Sequence, residues 1–174
     1  MSHHPTPLIA FYRGQATDHQ GRYINDIWAL SHFWLEHTHD YIQWLFPIPE
    51  VGRFNHFAPR LTDVEREVFQ DDSALREQQR VSLDVMLSFL GLTRDGLTIT
   101  AQPSLNIREH IWLKAGGHNH LRISRIIRSL ALCHQPKLAA AFQQAVIEIG
   151  STQGIVSAQS MAYWRAASDA KHTV

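Results

Sequence analysis

The stretch Asn119-His120-Leu121-Arg122-Ile123-Ser124-Arg125-Ile126-Ile127-Arg128-Ser129-Leu130 decides the fold class. Ile123, Ile126, Ile127 and Leu130 stand at i, i+3, i+4 and i+7, and a rotation of about 100° per residue gathers them onto one stripe of an α-helix. Arg122, Arg125 and Arg128 fall opposite that stripe with Leu121 among them, so the sequence predicts a basic face carrying one apolar side chain. Gly116-Gly117 place the start near residue 119, where Asn119 is a fitting cap.

The same spacing repeats outward from this helix. Pro136 opens a second one, on which Leu138, Ala141, Phe142, Ala145 and Ile149 recur at helical intervals before Gly150 and Gly154, and a last helix covers about 156 to 169. Upstream, Thr62 and Glu65 form a capping-box pattern, and a further helix follows the Asp71-Asp72-Ser73 break. Its Leu83, Met86, Leu87 and Leu90 form a stripe that Gly91 closes. Nearer the N-terminus, Ile24, Ile27, Trp28, Ser31 and Leu35 fall on one face of a single helix, and Tyr41, Trp44 and Leu45 make a short one that Pro47 and Pro49 end. From about 93 to 117 the pattern is irregular, with Arg94-Asp95-Gly96 reading as a turn and Leu97-Thr98-Ile99-Thr100 alternating as a strand does. The expected architecture is all-α, a single compact orthogonal helical domain of about six to eight helices over residues 8–170, between tails at 1–7 and 171–174.

Composition agrees with a folded domain. The chain has 174 residues, 44% hydrophobic and 18% charged, with no net charge, which argues against disorder and against a global attraction to nucleic acid or anionic lipid. A chain of this size buries roughly two thirds of its unfolded surface without help from disulfides or metal. Cys133 is the one cysteine, so a reducing, cytoplasmic setting is expected. Met1-Ser2-His3-His4-Pro5 lacks the basic start and apolar run of a signal peptide, and no window reaches the ~18 apolar residues of a membrane span.

A second stretch, His39-Asp40-Tyr41-Ile42-Gln43-Trp44-Leu45-Phe46-Pro47, combines rare aromatic content with a fixed proline stop. With the Asn119 to Leu130 block it closely resembles the conserved N-terminal domain of the opioid growth factor receptor family. The resemblance also takes in Phe11-Tyr12, Leu35-Glu36, Leu61-Thr62, Glu65, Phe69, Arg80, Met86-Leu87-Ser88-Phe89 and Gly91, and runs from about residue 8 to 168. It implies a soluble, receptor-like helical domain. Animal members of the family are longer, with disordered tails; they are described as receptors for an opioid pentapeptide that restrain growth, and are linked to membrane and nucleus. This chain stops near the end of the domain and shows no basic cluster like a nuclear localisation signal. It thus resembles a stand-alone, bacterial or otherwise minimal member, whose shared function resides in the helical unit.

Charge is unevenly spread. Residues 101–147 hold Arg108, Lys114, Arg122, Arg125, Arg128 and Lys137 against Glu109 alone, while residues 61–77 hold Asp63, Glu65, Glu67, Asp71, Asp72 and Glu77 against Arg66 and Arg76. Such runs usually lie on solvated faces. At the start of the arginine helix, backbone amides and the positive dipole end stand beside guanidinium groups, a combination that binds carboxylate or phosphate. The candidate ligand site is therefore Asn119, Arg122 and Arg125 with His118, and Trp112 or Trp44 as an apolar wall. Gln43, a polar amide between Ile42 and Trp44, either faces solvent or organises the interior, where it could also touch a ligand.

Catalytic and metal signals are sparse. His32, Glu36 and His39 would share a face only on an unbroken helix, and no zinc-type spacing is present, so no metal and no cofactor is expected. Cys133 lies at a helix end, where the dipole raises a thiol pKa, and reads as a small buried hydrophobe. There is no Gly-x-Ser-x-Gly elbow, phosphate-cradling loop or dinucleotide fingerprint. The expected function is a soluble binding module for a small anionic or peptide ligand or a protein partner. The alternatives are an enzyme acting on a phosphorylated or carboxylated substrate with His118 or His120 as general base, and nucleic-acid binding through the basic half.

Overall fold

Polar caps cut the N-terminal half of the chain into short helices. The computed structural model describes residues 5–52 and 55–169, so the tail at 171–174 and most of that at 1–7 lie outside the described residues. The chain sorts into two compact units, Met1–Ser82 and Leu83–Val174. Nine α-helices and one short hairpin are described, which bears out the all-α reading.

In the first unit, Thr6 caps α1 (Pro7–Tyr12) by accepting the Ile9 amide, with Pro7 fixing the first helical residue. The single helix expected over 24–35 is two, α2 (Ile24–Trp28) and α3 (His32–His37). The break is Ser31, whose ψ of 163° is extended and whose hydroxyl accepts the Trp34 amide at 3.3 Å. That local bond offers the backbone an alternative to continuing the helix. The apolar spacing across the break survives because α2 buries Ile24 and Ile27 while α3 buries Leu35.

α4 (Ile42–Leu45) is the core of the aromatic signature. Phe11, Tyr12, Tyr41, Leu45, Phe46 and Phe69 all have 0% exposure. Phe11 lies 5.1 Å from Trp44, and Tyr12 meets Phe69 edge-on at 5.0 Å. Two phenols are buried with their hydroxyls satisfied: Tyr12 donates to the Leu45 carbonyl, and Tyr41 to that of Leu35 at 2.6 Å. α5 (Asp63–Asp71) begins with the expected capping box, in which the Glu65 carboxylate accepts the Thr62 amide at 3.1 Å. Asp72 then separates it from α6 (Ser73–Phe89) and accepts the Ala74 amide at 3.0 Å.

The second unit begins in the last turns of α6. Gly91 ends that helix at a φ of +75°, and a Cβ there would lie 2.8 Å from both the His110 ring and Leu105, so backbone and packing both require glycine. A hairpin follows, β1 (Leu92–Asp95) and β2 (Thr98–Ala101), paired antiparallel with Leu92 opposite Ala101 and Asp95 opposite Thr98. The turn is thus Gly96-Leu97 alone. Arg94 and Asp95, expected in the turn, belong to the strand, and Leu97, expected in the strand, belongs to the turn. Arg94 grips Asp84 of α6 through two bonds of 2.7 and 2.9 Å, and this hydrogen-bonded carboxylate raises the guanidinium pKa above its ordinary value.

After a 3-10 turn at Ile111–Leu113 come α7 (His118–Leu132), α8 (Pro136–Thr152) and α9 (Ala158–Ala167), with α7 packed on both of the others. The predicted stripe is the core: Ile123, Ile126, Ile127 and Leu130 have no exposure. α7 ends with His134 in the left-handed region at φ 65° and the Gln135 amide bonded to the Leu130 carbonyl, the six-to-one bond of a Schellman cap. Cys133, buried at that end, packs as the small hydrophobe expected.

Candidate functional site

The start of α7 is held by backbone pairing with the loop between α8 and α9. The Ile155 amide bonds to the Leu113 carbonyl at 2.8 Å, and the Ser157 amide to that of Ala115 at 3.0 Å. Gly154 makes this approach possible, since a Cβ there would stand 2.5 Å from the Leu113 oxygen. Gly116, Gly117 and His118 are exposed beyond this clamp, with open space around both glycines. Gly117, not Asn119, is the N-cap, so no side chain closes the first turn.

Asn119 and Arg122 do come together, but beneath the surface. Asn119 is 3% exposed and Arg122 6%, and the Asn119 Oδ1 accepts from the Arg122 guanidinium at 3.4 Å. Arg125 is half-buried; Arg128 is 5% exposed and donates to the Asp169 carbonyl at 3.1 Å. The basic face expected on solvent is therefore largely covered, and Leu121, at 72% exposure, is the side chain that faces water. The reading of the basic face as solvated failed here because a guanidinium on a long apolar stem can be buried once its donors meet oxygen atoms.

Trp112 and His120 belong to the interior of the same unit. Trp112 is 1% exposed and donates its indole N–H to the Leu90 carbonyl at 2.8 Å. His120, 5% exposed, has Nε2 2.7 Å from the Trp112 carbonyl and Nδ1 2.7 Å from the Ser160 hydroxyl. Trp164 approaches its ring edge-on at 5.1 Å and donates to its backbone carbonyl at 3.0 Å. Ser160 and Trp164 carry no local signal in the sequence; they reach His120 across a separation that only helix packing closes.

Gln43 and Trp44 belong to the first unit. Gln43 takes the interior option, 5% exposed with its amide donating to the His39 carbonyl at 3.1 Å. Trp44, also 5% exposed, donates to His19 Nδ1 at 3.1 Å, and His19 Nε2 stands 3.2 Å from Asp40. Arg22 lies 3.0 Å from the other Asp40 oxygen and 2.7 Å from buried Asp18. Because an indole only donates, the His19 ring proton sits on Nε2, toward Asp40. Sequence reasoning missed this chain, which joins the signature to the loop before α2.

α3 ends at His37 with Thr38 extended, so His32, Glu36 and His39 do not share one helix. Among the described residues no three metal-ligating side chains converge, and no helix is long and apolar enough to cross a membrane.

Comparison with known proteins places this architecture. The family model for the opioid growth factor receptor (OGFr) conserved region matches residues 6–173. The chain is 37% identical over 131 residues to the Homo sapiens opioid growth factor receptor, covering 72% of this chain and 19% of the relative. It is 36% identical over 130 residues to the Mus musculus receptor, covering 70% and 20%. Over 114 residues it is 36% identical to the Rattus norvegicus opioid growth factor receptor-like protein 1, covering 63% and 24%. The chain thus spans about a fifth to a quarter of the length of these relatives. No solved structure matches it. The two stretches that carry the resemblance are buried helices of a helical fold, the family model covers nearly all of the chain, and the chain belongs to the opioid growth factor receptor conserved-region family.

Proposed function

We propose that this chain is a receptor-like binding module of the cytoplasm that takes a small anionic ligand, or the carboxylate end of a peptide, at the start of α7. The observation that carries the reading is the pairing of a buried guanidinium with a neutral amide in the first turn. Arg122 is 6% exposed and bonded to Asn119, a few residues along the chain from the exposed Gly116-Gly117-His118 edge. Helix-start amides and a positive charge of this kind favour an oxyanion. Half-buried Arg125 and exposed His118 supply further donors, while Trp112, fixed by its bond to Leu90, backs the turn from inside. Trp44 and Gln43 serve the first unit as organisers of its interior. The name of the relatives, a receptor, agrees with a ligand-taking role.

Calorimetric titration tests the reading with inorganic phosphate and with a short free-acid peptide beside its C-terminally amidated form. The phosphate and the free acid should bind, and the amidated peptide should bind at least about tenfold more weakly, since a charge-assisted bond contributes about 1.5–3 kcal/mol. Arg122→Gln with Arg125→Gln should abolish that binding while thermal melting remains cooperative. Equal affinity for both peptides, or for the folded double variant, would sink the assignment.

A further inference from the structure

His120 and Ser160 have an arrangement that packing alone does not demand. The Trp112 carbonyl can only accept, so the 2.7 Å contact to His120 Nε2 places the ring proton there. Nδ1 then carries a lone pair, aimed at the Ser160 hydroxyl 2.7 Å away. The ring is held in that tautomer by a third group, and its protonated form would keep both bonds, with Nδ1 donating in turn. A nucleophile, a base and an orienting acceptor are thereby aligned within hydrogen-bond reach.

The surroundings suit an acyl acceptor. His120 is 5% exposed, shielded by Trp112 and Trp164, whereas Ser160 is only half-buried. Ser160 lies in the first turn of α9, whose Ala158 and Gln159 amides stand at the donor end of a ten-residue helix. Tyr163, three residues on and 55% exposed, shares the Ser160 side of α9, and Leu121, beside His120 in α7, is 72% exposed.

We propose that Ser160 is a nucleophile and His120 its general base, acting on carboxylic esters. The Ser160 oxygen bonds to the ester carbonyl carbon while its proton passes to His120 Nδ1. The carbon–oxygen bond to the leaving alcohol breaks, and His120 returns the proton to that alcohol. Water then attacks the acyl-serine by the same route, releasing the acid and restoring Ser160. The reacting groups, Ser160 and His120, are not those proposed to hold the anion, Arg122 and Arg125.

The test uses the full chain with p-nitrophenyl butyrate as probe, following p-nitrophenolate release and mapping the butyryl adduct by mass spectrometry of peptides from acid-quenched protein. The expected result is one butyryl group per chain on Ser160, with release about 10²- to 10⁴-fold slower in Ser160→Ala, the range typical of a positioned acid–base pair. Should that variant fail to fold, Ser160→Cys retains a nucleophile at the same position and should carry the butyryl group as a thioester. An adduct absent from Ser160, or release unchanged in folded Ser160→Ala, overturns the proposal, and either result leaves the phosphate titration untouched.

Discussion

α4 and α7 carry the two stretches by which the chain is related to its family, and they are buried by different means. In α4 and its flanks the interior is aromatic, with Tyr41, Leu45 and Phe46 at 0% exposure; the Tyr41 hydroxyl and Gln43 amide donate to backbone carbonyls, and the Trp44 indole donates to His19. α7 buries an isoleucine and leucine stripe of the ordinary kind, yet Asn119, His120, Arg122, Arg128 and Ser129 are also at or below 6% exposure. One region is held chiefly by apolar area, the other by area together with a dense set of directed bonds. Apolar area tolerates small shifts of neighbouring atoms; directed bonds at 2.7–3.1 Å do not. The second kind of burial fixes side chains in position, which is what a site requires.

Phe46→Ala should cost the most, about 3–5 kcal/mol in urea unfolding, because a fully buried aromatic leaves a cavity that the surrounding helices fill only in part. A loss below about 1 kcal/mol would remove α4 from its place as an apolar anchor. Trp164→Phe keeps most of the ring but deletes the N–H bonded to the His120 carbonyl, and about 2 kcal/mol of destabilisation is expected. Tyr41→Phe, which deletes one hydroxyl in the aromatic region, should cost about 1 kcal/mol. If Tyr41→Phe proved the more damaging of these two, the contrast between the regions would be reversed.

Asp84→Asn gives the smallest effect. Asp84 is 49% exposed, so loss of its pair with Arg94 should lower stability by under about 1 kcal/mol, and by less still in high salt. A salt-independent loss of several kcal/mol would place this hairpin clamp among the principal supports of the second unit.

Helices and their ends were legible wherever a local cap or a stripe acts alone. The Thr62–Glu65 box, the Asp72 break, the Gly91 stop and the Pro136 start all stand where their residues predict. The reading of 24–35 as one helix failed because periodicity records burial, and two short helices can bury what one long helix would. Thr6-Pro7 was a readable start for α1, since a threonine cap before proline carries the same information as the other caps. The start of α7 after Gly116-Gly117 was legible, but the burial of its polar side chains was not. Nothing in Asn119 or Arg122 by itself tells that each is buried.

What the sequence by itself determined is the helical class, most of the longer helices and their ends, and the family. Stripe spacing, caps and the aromatic run act over fewer than about ten residues, the range at which backbone hydrogen bonds and side-chain neighbours on one helix are fixed. What only the tertiary structure decided is which polar groups those elements bury and whom they meet. Ser160 and Trp164 reach His120, and His19 reaches Trp44 and Asp40, over 40, 44, 25 and 21 residues of chain respectively. Hydrogen-bond partners at such separations follow from how helices cross and from the cost of leaving a buried polar atom unsatisfied. Neither quantity is written in the spacing of residues along a single helix.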